Sequence, residues 1–227
     1  MNAAARIGIL GGTLDPIHLG HLDTACAARA ALALDQVIVL PSRVPPHRPQ
    51  QPAASPYHRF AMAALAVNGR AGLTVSDMEL SAPGPSYTAD TLTRFEAVSG
   101  LPARQIFFIT GADAFAEIAT WYRYPEVLQL AQFVVVSRPG HPLRGLREQV
   151  PDLALRMLPA NGVTAPAAEP AIYLVNADTA DVSSTAIRRR IAAGESIAGL
   201  VPPCVETHIC QHRLYGHSDA DHVHGQN

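Results

Sequence analysis

The segment GGTLDPIHLGHL, Gly11 to Leu22, is reached directly from the apolar run IGIL at Ile7 to Leu10. A short apolar run that leaves through two glycines and enters an Ala/Leu-rich stretch reads as a strand feeding a helix. Glycine permits positive φ and close approach of backbone to a ligand, which fits Gly11 and Gly12 for a turn around a bound group. The helix that opens near His18 and runs to about Leu34 aims its free N–H groups and its positive end back at that turn. His18 and His21 are three residues apart, so their imidazoles share one face of the first helical turn. A solvent loop needs none of this. A phosphate site needs all of it.

Working outward, apolar β-branched runs alternate with helical patterns along the chain. QVIVLP (Gln36 to Pro41), LTVSDMEL (Leu73 to Leu80), QIFFIT (Gln105 to Thr110), FVVVS (Phe133 to Ser137) and AIYLV (Ala171 to Val175) read as further strands. Helices are expected at about Tyr57 to Val67, over TADTLTRFEAV, near Asp113 to Trp121 and Glu126 to Ala131, and over SSTAIRRRIAAG. Continuous apolar strands separated by helices predict an α/β protein. Its parallel sheet is doubly wound and Rossmann-like, covered by helices on both faces, with a small C-terminal helical part. In such folds ligands bind beyond the carboxyl ends of the strands. Pro41 to Pro56 is Pro-rich and reads as a long loop and candidate lid, and Pro159 to Pro170 as a flexible surface insertion. Residues 1–215 are expected to form a single domain, and 216–227 a disordered tail.

At 227 residues, with 48% hydrophobic and 16% charged side chains, the chain has the composition of a folded globular protein. Its net charge of −2 carries no basic surplus for a nucleic-acid partner. All 17 Lys+Arg positions are arginine, so a positive charge on a phosphate must come from Arg, protonated His, a helix end or a metal. Cys26, Cys204 and Cys210 make no disulfide framework and suit a reducing cytoplasm. The apolar run near the N-terminus is too short for a signal peptide, and no segment is long enough to cross a membrane. Cys204, His208, Cys210 and His212 do not match the usual zinc spacings and are read as helix residues rather than metal ligands.

A second stretch, DVSSTAIRRR at Asp181 to Arg190, sets the N-cap types Ser183, Ser184 and Thr185 before Arg188 on the first helical turn. Hydroxyls, orphan N–H groups and a guanidinium together suit bidentate phosphate contact; the plainer reading is an ordinary capped basic helix. The chain has no P-loop, which would need a lysine, and no GxGxxG after the first strand. Asp15 reads as an Asx-type turn before Pro16.

GGTLDPIHLGH together with VSSTAIR resembles the nucleotidyltransferase superfamily with the HxGH signature. PPHR (Pro45 to Arg48), PSYTADTL (Pro85 to Leu92) and GADAFAEIATWYRYPEVL (Gly111 to Leu128) narrow the resemblance to bacterial nicotinate-nucleotide adenylyltransferases. The matching stretches run in family order from Ile7 to about Tyr215. The resemblance implies adenylyl transfer from ATP to nicotinate mononucleotide in NAD biosynthesis, in the cytoplasm. Its substrates are small molecules, Mg²⁺ is carried on the ATP phosphates, and neither nucleic acid nor membrane is a partner. It implies that Gly11, Gly12, Thr13, His18 and His21 meet the nucleotide phosphates, with Ser184, Thr185 and Arg188 at the triphosphate and Gly111 and Asp113 at the ATP ribose. His18, His21 and Arg188 are then the catalytic set. Trp121 is expected to stack on the pyridine ring, while Thr88 and Tyr122 hold the nicotinate carboxylate, mainly through backbone N–H groups. The family commonly has Phe where Leu14 stands and Lys where Arg48 stands, so Arg48 inherits a phosphate contact with a larger, planar donor. Two other readings stay open: a phosphopantetheine-type adenylyltransferase, which typically has Thr at the His18 position and lacks WYRYP, or a nucleotide-binding regulator without catalysis.

Overall fold

In the computed structural model, which describes residues 5–46, 52–160, 167 and 169–216, the apolar runs become strands. They are β1 (Ile7–Gly12), β2 (Gln36–Pro41), β3 (Leu73–Val75), β4 (Ile106–Gly111), β5 (Gln132–Val136), β6 (Met157–Pro159) and β7 (Ile172–Val175). They form one sheet in the order β3-β2-β1-β4-β5-β7-β6, and every pairing is parallel. The chain winds outward from β1 through β2 to β3, then restarts on the other side of β1 at β4. The winding reverses between β1 and β4, and there the carboxyl ends of neighbouring strands open a crevice.

The helices are α1 (Leu19–Ala31), α2 (Pro56–Val67), α3 (Thr88–Ser99), α4 (Ala112–Ala116), α5 (Leu146–Gln149), α6 (Ser184–Ala192) and α7 (Pro203–Gln211). Side chains alternate across each strand, so successive residues feed two separate cores. Leu10, Val37, Val39, Phe107 and Ile109 pack with Leu22 of α1, Met62 of α2, Ile187 of α6 and Val205 of α7. Ile9, Leu40, Ile106 and Phe108 pack on the opposite face with Ala89 and Leu92 of α3 and Phe115 of α4. The doubly wound expectation is met, helices on both faces included. Among the described residues, no helix is long and apolar enough to cross a membrane.

Several local expectations are corrected. The Leu73 to Leu80 run is a strand only to Val75; beyond it a turn carries Glu79 inward, where it accepts from Thr91 Oγ1 at 2.7 Å and Arg94 Nη1 at 3.1 Å. The expected helix from Asp113 to Trp121 breaks into α4 and a 3-10 turn, Ile118–Thr120, while the Glu126 to Ala131 stretch is a 3-10 helix, Glu126–Gln129. Helix α1 stops at Ala31 rather than Leu34. The edge strand β6 had no clear sequence signal, being only three residues long. The surface insertion and the tail fall largely on residues outside those described.

Candidate active site

The site grows from the segment that follows β1. Strand pairing carries through both glycines, since Gly11 and Gly12 are in register with Leu40 and Pro41. Neither needs positive φ, contrary to the sequence expectation. The left-handed residue of this turn is Leu14, at φ 53°, with its side chain buried. A non-glycine residue in that region is strained unless its surroundings over-determine it. Here they do. Arg59 of α2, fully buried, donates from Nη1 to the carbonyls of Thr13 (2.7 Å) and Ser42 (2.6 Å) and from Nη2 to that of Arg43 (3.1 Å). Its Nε donates to the Ala54 carbonyl at 3.2 Å. One guanidinium thereby fastens the turns after β1 and β2 to the start of α2.

Asp15 is not an Asx turn. Its buried carboxylate accepts from the backbone N–H groups of Ala53 (2.9 Å) and Ala54 (3.1 Å) and from the Tyr215 hydroxyl (2.8 Å). Burial, then the adjacent carboxylate, holds the Tyr215 phenol well above its ordinary pKa, so it stays a donor.

His18 caps α1, and its backbone N–H donates to His21 Nδ1 at 3.2 Å. That bond makes Nδ1 the acceptor and places the ring proton of His21 on Nε2. The two rings stack with centroids 3.7 Å apart at 28°. His18 is 1% exposed, and burial, with the Arg138 guanidinium nearby, pushes its pKa from 6.5 down to about 3. It is therefore a neutral imidazole near pH 7, not a cation. Its Nδ1 is buried with no hydrogen-bond partner among the described residues. Gly20 packs closely beside it: a Cβ there would meet the Ala180 carbonyl oxygen at 3.0 Å and His18 Nδ1 at 3.2 Å, so a larger residue would crowd both.

Helix α6 docks onto the same segment. Ser183 caps it by accepting from Ala186 N–H at 3.1 Å, and Ser184 Oγ donates to the Pro16 carbonyl at 2.9 Å. Arg188 Nη1 donates to the Asp15 carbonyl at 2.6 Å and stands 3.8 Å from the Asp15 carboxylate, while Nη2 reaches Thr185 Oγ1 at 3.3 Å. Across the crevice, Gly111 ends β4 and caps α4, which carries Asp113. Asp113 pairs with Arg138 at 3.4 Å through one oxygen; the other is buried without a partner among the described residues. Unmatched buried polar atoms in a crevice mark where ligand atoms complete the network.

Beside the β1 end lies a cavity of about 320 Å³, with Gly11, Gly12 and Thr13 on one side and Thr88, Trp121 and Tyr122 on the other. Trp121 stands edge-on to Phe108, with ring centroids 6.0 Å apart at 89°, which leaves its indole part-exposed to the cavity. Tyr122 leans on Tyr87 with centroids 4.5 Å apart. Thr88 opens α3 and lines the cavity, and the N-cap Tyr87 supplies no side-chain bond to the first turn of that helix. The structure thus brings the expected residues into two neighbouring groups. Gly11, Gly12, Thr13, Thr88, Trp121 and Tyr122 line the cavity. His18, His21, Ser184, Thr185 and Arg188 gather along the Asp15–His21 segment next to it, and Gly111 and Asp113 stand at the end of β4. Arg48 lies outside the described residues. Sequence reasoning missed Arg59, Arg138 and the joining role of Asp15; the one available signal was the placement of Arg138 just past the end of β5.

The cytidylyltransferase-like family model matches residues 9–190. Through that match and its curated relatives, this chain belongs to the cytidylyltransferase-like nucleotidyltransferases, in the group of the nicotinate-nucleotide adenylyltransferases. A probable nicotinate-nucleotide adenylyltransferase of Desulfatibacillum aliphaticivorans is 41% identical over 218 residues, covering 92% of this chain and 99% of its own. One from Thermus thermophilus is 41% identical over 210 residues, with coverages of 92% and 99%. Among solved structures, the Plasmodium falciparum nicotinic acid mononucleotide adenylyltransferase complexed with NaAD superposes with a TM-score of 0.70 at 18% identity. That superposition covers 93% of this chain and 97% of the other, and it speaks to the fold.

Proposed function

We propose that this protein transfers the adenylyl group of ATP to nicotinate mononucleotide, giving nicotinate adenine dinucleotide and pyrophosphate. A phosphate oxygen of the mononucleotide attacks the α-phosphorus in line; the bond from that phosphorus to the bridging oxygen breaks, and pyrophosphate leaves. The nucleophile is a phosphate monoester with a second pKa of about 6, so it is already ionised at neutral pH and needs no general base. The work left to the protein is positioning and charge stabilisation.

In this reading the backbone of Gly11 to Thr13 and the first turn of α1 face the phosphates. His18 and His21 offer ring nitrogens to oxygens that gain charge, and Arg188, Ser184 and Thr185 hold the departing pyrophosphate. Gly111 and Asp113 take the ribose, Asp113 through the oxygen that Arg138 leaves unpaired. Trp121 gives the pyridine ring a face, and the first N–H groups of α3 with the Tyr122 turn receive its carboxylate. Arg48 supplies a further phosphate contact.

Mg²⁺ comes with ATP as part of the substrate, keeping several waters and few protein ligands. The nearby carboxylates suit that role: Asp15 is committed to Ala53, Ala54 and Tyr215, and Glu79 to Thr91 and Arg94. The bond from Tyr215 to Asp15 also supports residues 1–215 acting as one unit.

The observation that carries the reading is the stacked, buried His18–His21 pair at a helix end beside a cavity walled by Trp121 and the start of α3. The test is pyrophosphate release with ATP and, separately, nicotinate mononucleotide, nicotinamide mononucleotide and phosphopantetheine. Turnover should be fastest with the first. Turnover only with phosphopantetheine, or with none of the three, would replace this reading with one of its rivals.

A further inference from the structure

Away from the cavity, the seam between α2 and α7 gathers three histidines that the adenylyl transfer does not use. His58 belongs to the first turn of α2, where its N–H donates to the cap Ser55. His208 and His212 are four residues apart at the end of α7, so their rings share one helix face. His58 Nδ1 is 3.2 Å from His208 Nε2, and the ring centroids lie 4.4 Å (His208–His212), 4.9 Å (His58–His212) and 5.3 Å (His58–His208) apart. One ring nitrogen from each lies within 4.8 Å of the others. Two imidazole nitrogens held tetrahedrally at about 2.1 Å from one ion are about 3.4 Å apart, close to the His58–His208 separation. His212 is exposed at the helix end, so small ring rotations suffice to bring its nitrogen to the same ion.

Chemistry narrows the ligand. Three imidazoles with no carboxylate or thiolate among them suit zinc, copper(II) or nickel(II), and disfavour magnesium and calcium. None of the three is ion-paired with a carboxylate among the described residues.

We infer that His58, His208 and His212 form a zinc site that ties the start of α2 to the end of α7, with the fourth position open to water. The ion acts as a staple. Its anchor on α2 is the residue before Arg59, the side chain that fastens the turns after β1 and β2.

The test uses the full chain without an affinity tag, freed of metal by chelator and dialysis, and titrated with zinc chloride by calorimetry. One equivalent should bind, and free zinc about a hundredfold above Kd should raise Tm by about 5–10 °C. His58→Gln and His212→Gln should each weaken binding at least tenfold while leaving turnover unchanged. A variant with His217, His222 and His224 all replaced by Ala should bind as the parent does. Cobalt(II) on the unaltered chain, which needs no variant to fold, should give the intense visible bands of a tetrahedral site. Binding that survives both single changes and disappears with the tail change would overturn the site. So would cobalt(II) spectra of octahedral type, or the lack of a stoichiometric step.

Discussion

His18 and His21 show how environment divides the work of two like residues. His21 is fixed by the bond to its Nδ1 and presents a donor; His18 is buried, neutral and short of one partner. Losing one preorganised donor in such a site typically raises the barrier by about 3 kcal/mol. His18→Ala and His21→Ala should therefore each lower kcat by about two orders of magnitude with the far-ultraviolet spectrum unchanged. Near-normal kcat would remove that histidine from the chemistry. Neutral burial also has a pH signature. The folded pKa of His18 is about 3 against 6.5 for the free group. The unfolded chain thus takes up the proton first as pH falls, and the stability that the neutral ring contributes is complete above about pH 6.5 and drains away toward pH 3. Compared with His18→Gln, the unmodified protein should lose stability in that window by up to about 1.4 kcal/mol per pH unit. Urea midpoints at pH 7.5, 5.5 and 4.5 measure the difference, and parallel pH profiles would show that His18 is not held neutral. The motif around these residues was legible because its spacing is local. Arg59 was not: three of its four carbonyl acceptors lie in the turns after β1 and β2, 16 to 46 residues away, and a lone Arg in an amphipathic helix carries no mark of burial.

Helix and strand ends, more than interiors, make this site. The N-termini of α1, α3, α4 and α6 carry its expected ligand groups, while β1 and β4 deliver the glycines. In the proposed reading, the start of α3 and the turn at Trp121 and Tyr122 discriminate an acid from an amide on the pyridine ring. N–H donors match a carboxylate, whereas an amide sets its own NH₂ against them, and a buried mismatch costs several kcal/mol. Nicotinate mononucleotide should exceed the amide by at least about 10²-fold in kcat/KM, equivalent to roughly 3 kcal/mol. Trp121→Ala should lower both values together, because stacking is blind to the difference; equal use of acid and amide by the unmodified protein would refute this account of the pocket. Arg59 is the counterpart among structural groups. Arg59→Met keeps the bulk of the stem but strands its carbonyl acceptors, so unfolding free energy should fall by about 3 kcal/mol or more. A urea midpoint within error of the parent would show that water replaces the guanidinium without cost. The strong, continuous runs β2, β4 and β5 were readable because burial on both faces forces an unbroken apolar sequence. The three-residue β6 was not, and β3 was read as a strand but five residues too long, since segments that short are held by pairing rather than pattern.

Across the whole molecule the connection that matters joins the two ends of the described chain. Asp15, in the turn after β1, is bonded to Tyr215 across 200 residues. Tyr215→Phe removes that donor from a buried carboxylate, so stability should drop by about 1–2 kcal/mol, and turnover should fall because Arg188 leans on the same turn. Equal urea midpoints and equal kcat would show that the bond is idle. No sequence pattern announces a contact of that range; it exists only once the sheet has brought β1 and the residues beyond α7 together. The feature also bears on the protein's birth. During translation Asp15 emerges 200 residues before Tyr215, so its carboxylate has no phenol to bind while the ribosome still holds the residues beyond α7. An emerging chain can pair β1 with β2 and β4, but the bond that ties Asp15 to Tyr215 closes only once Tyr215 has cleared the exit tunnel.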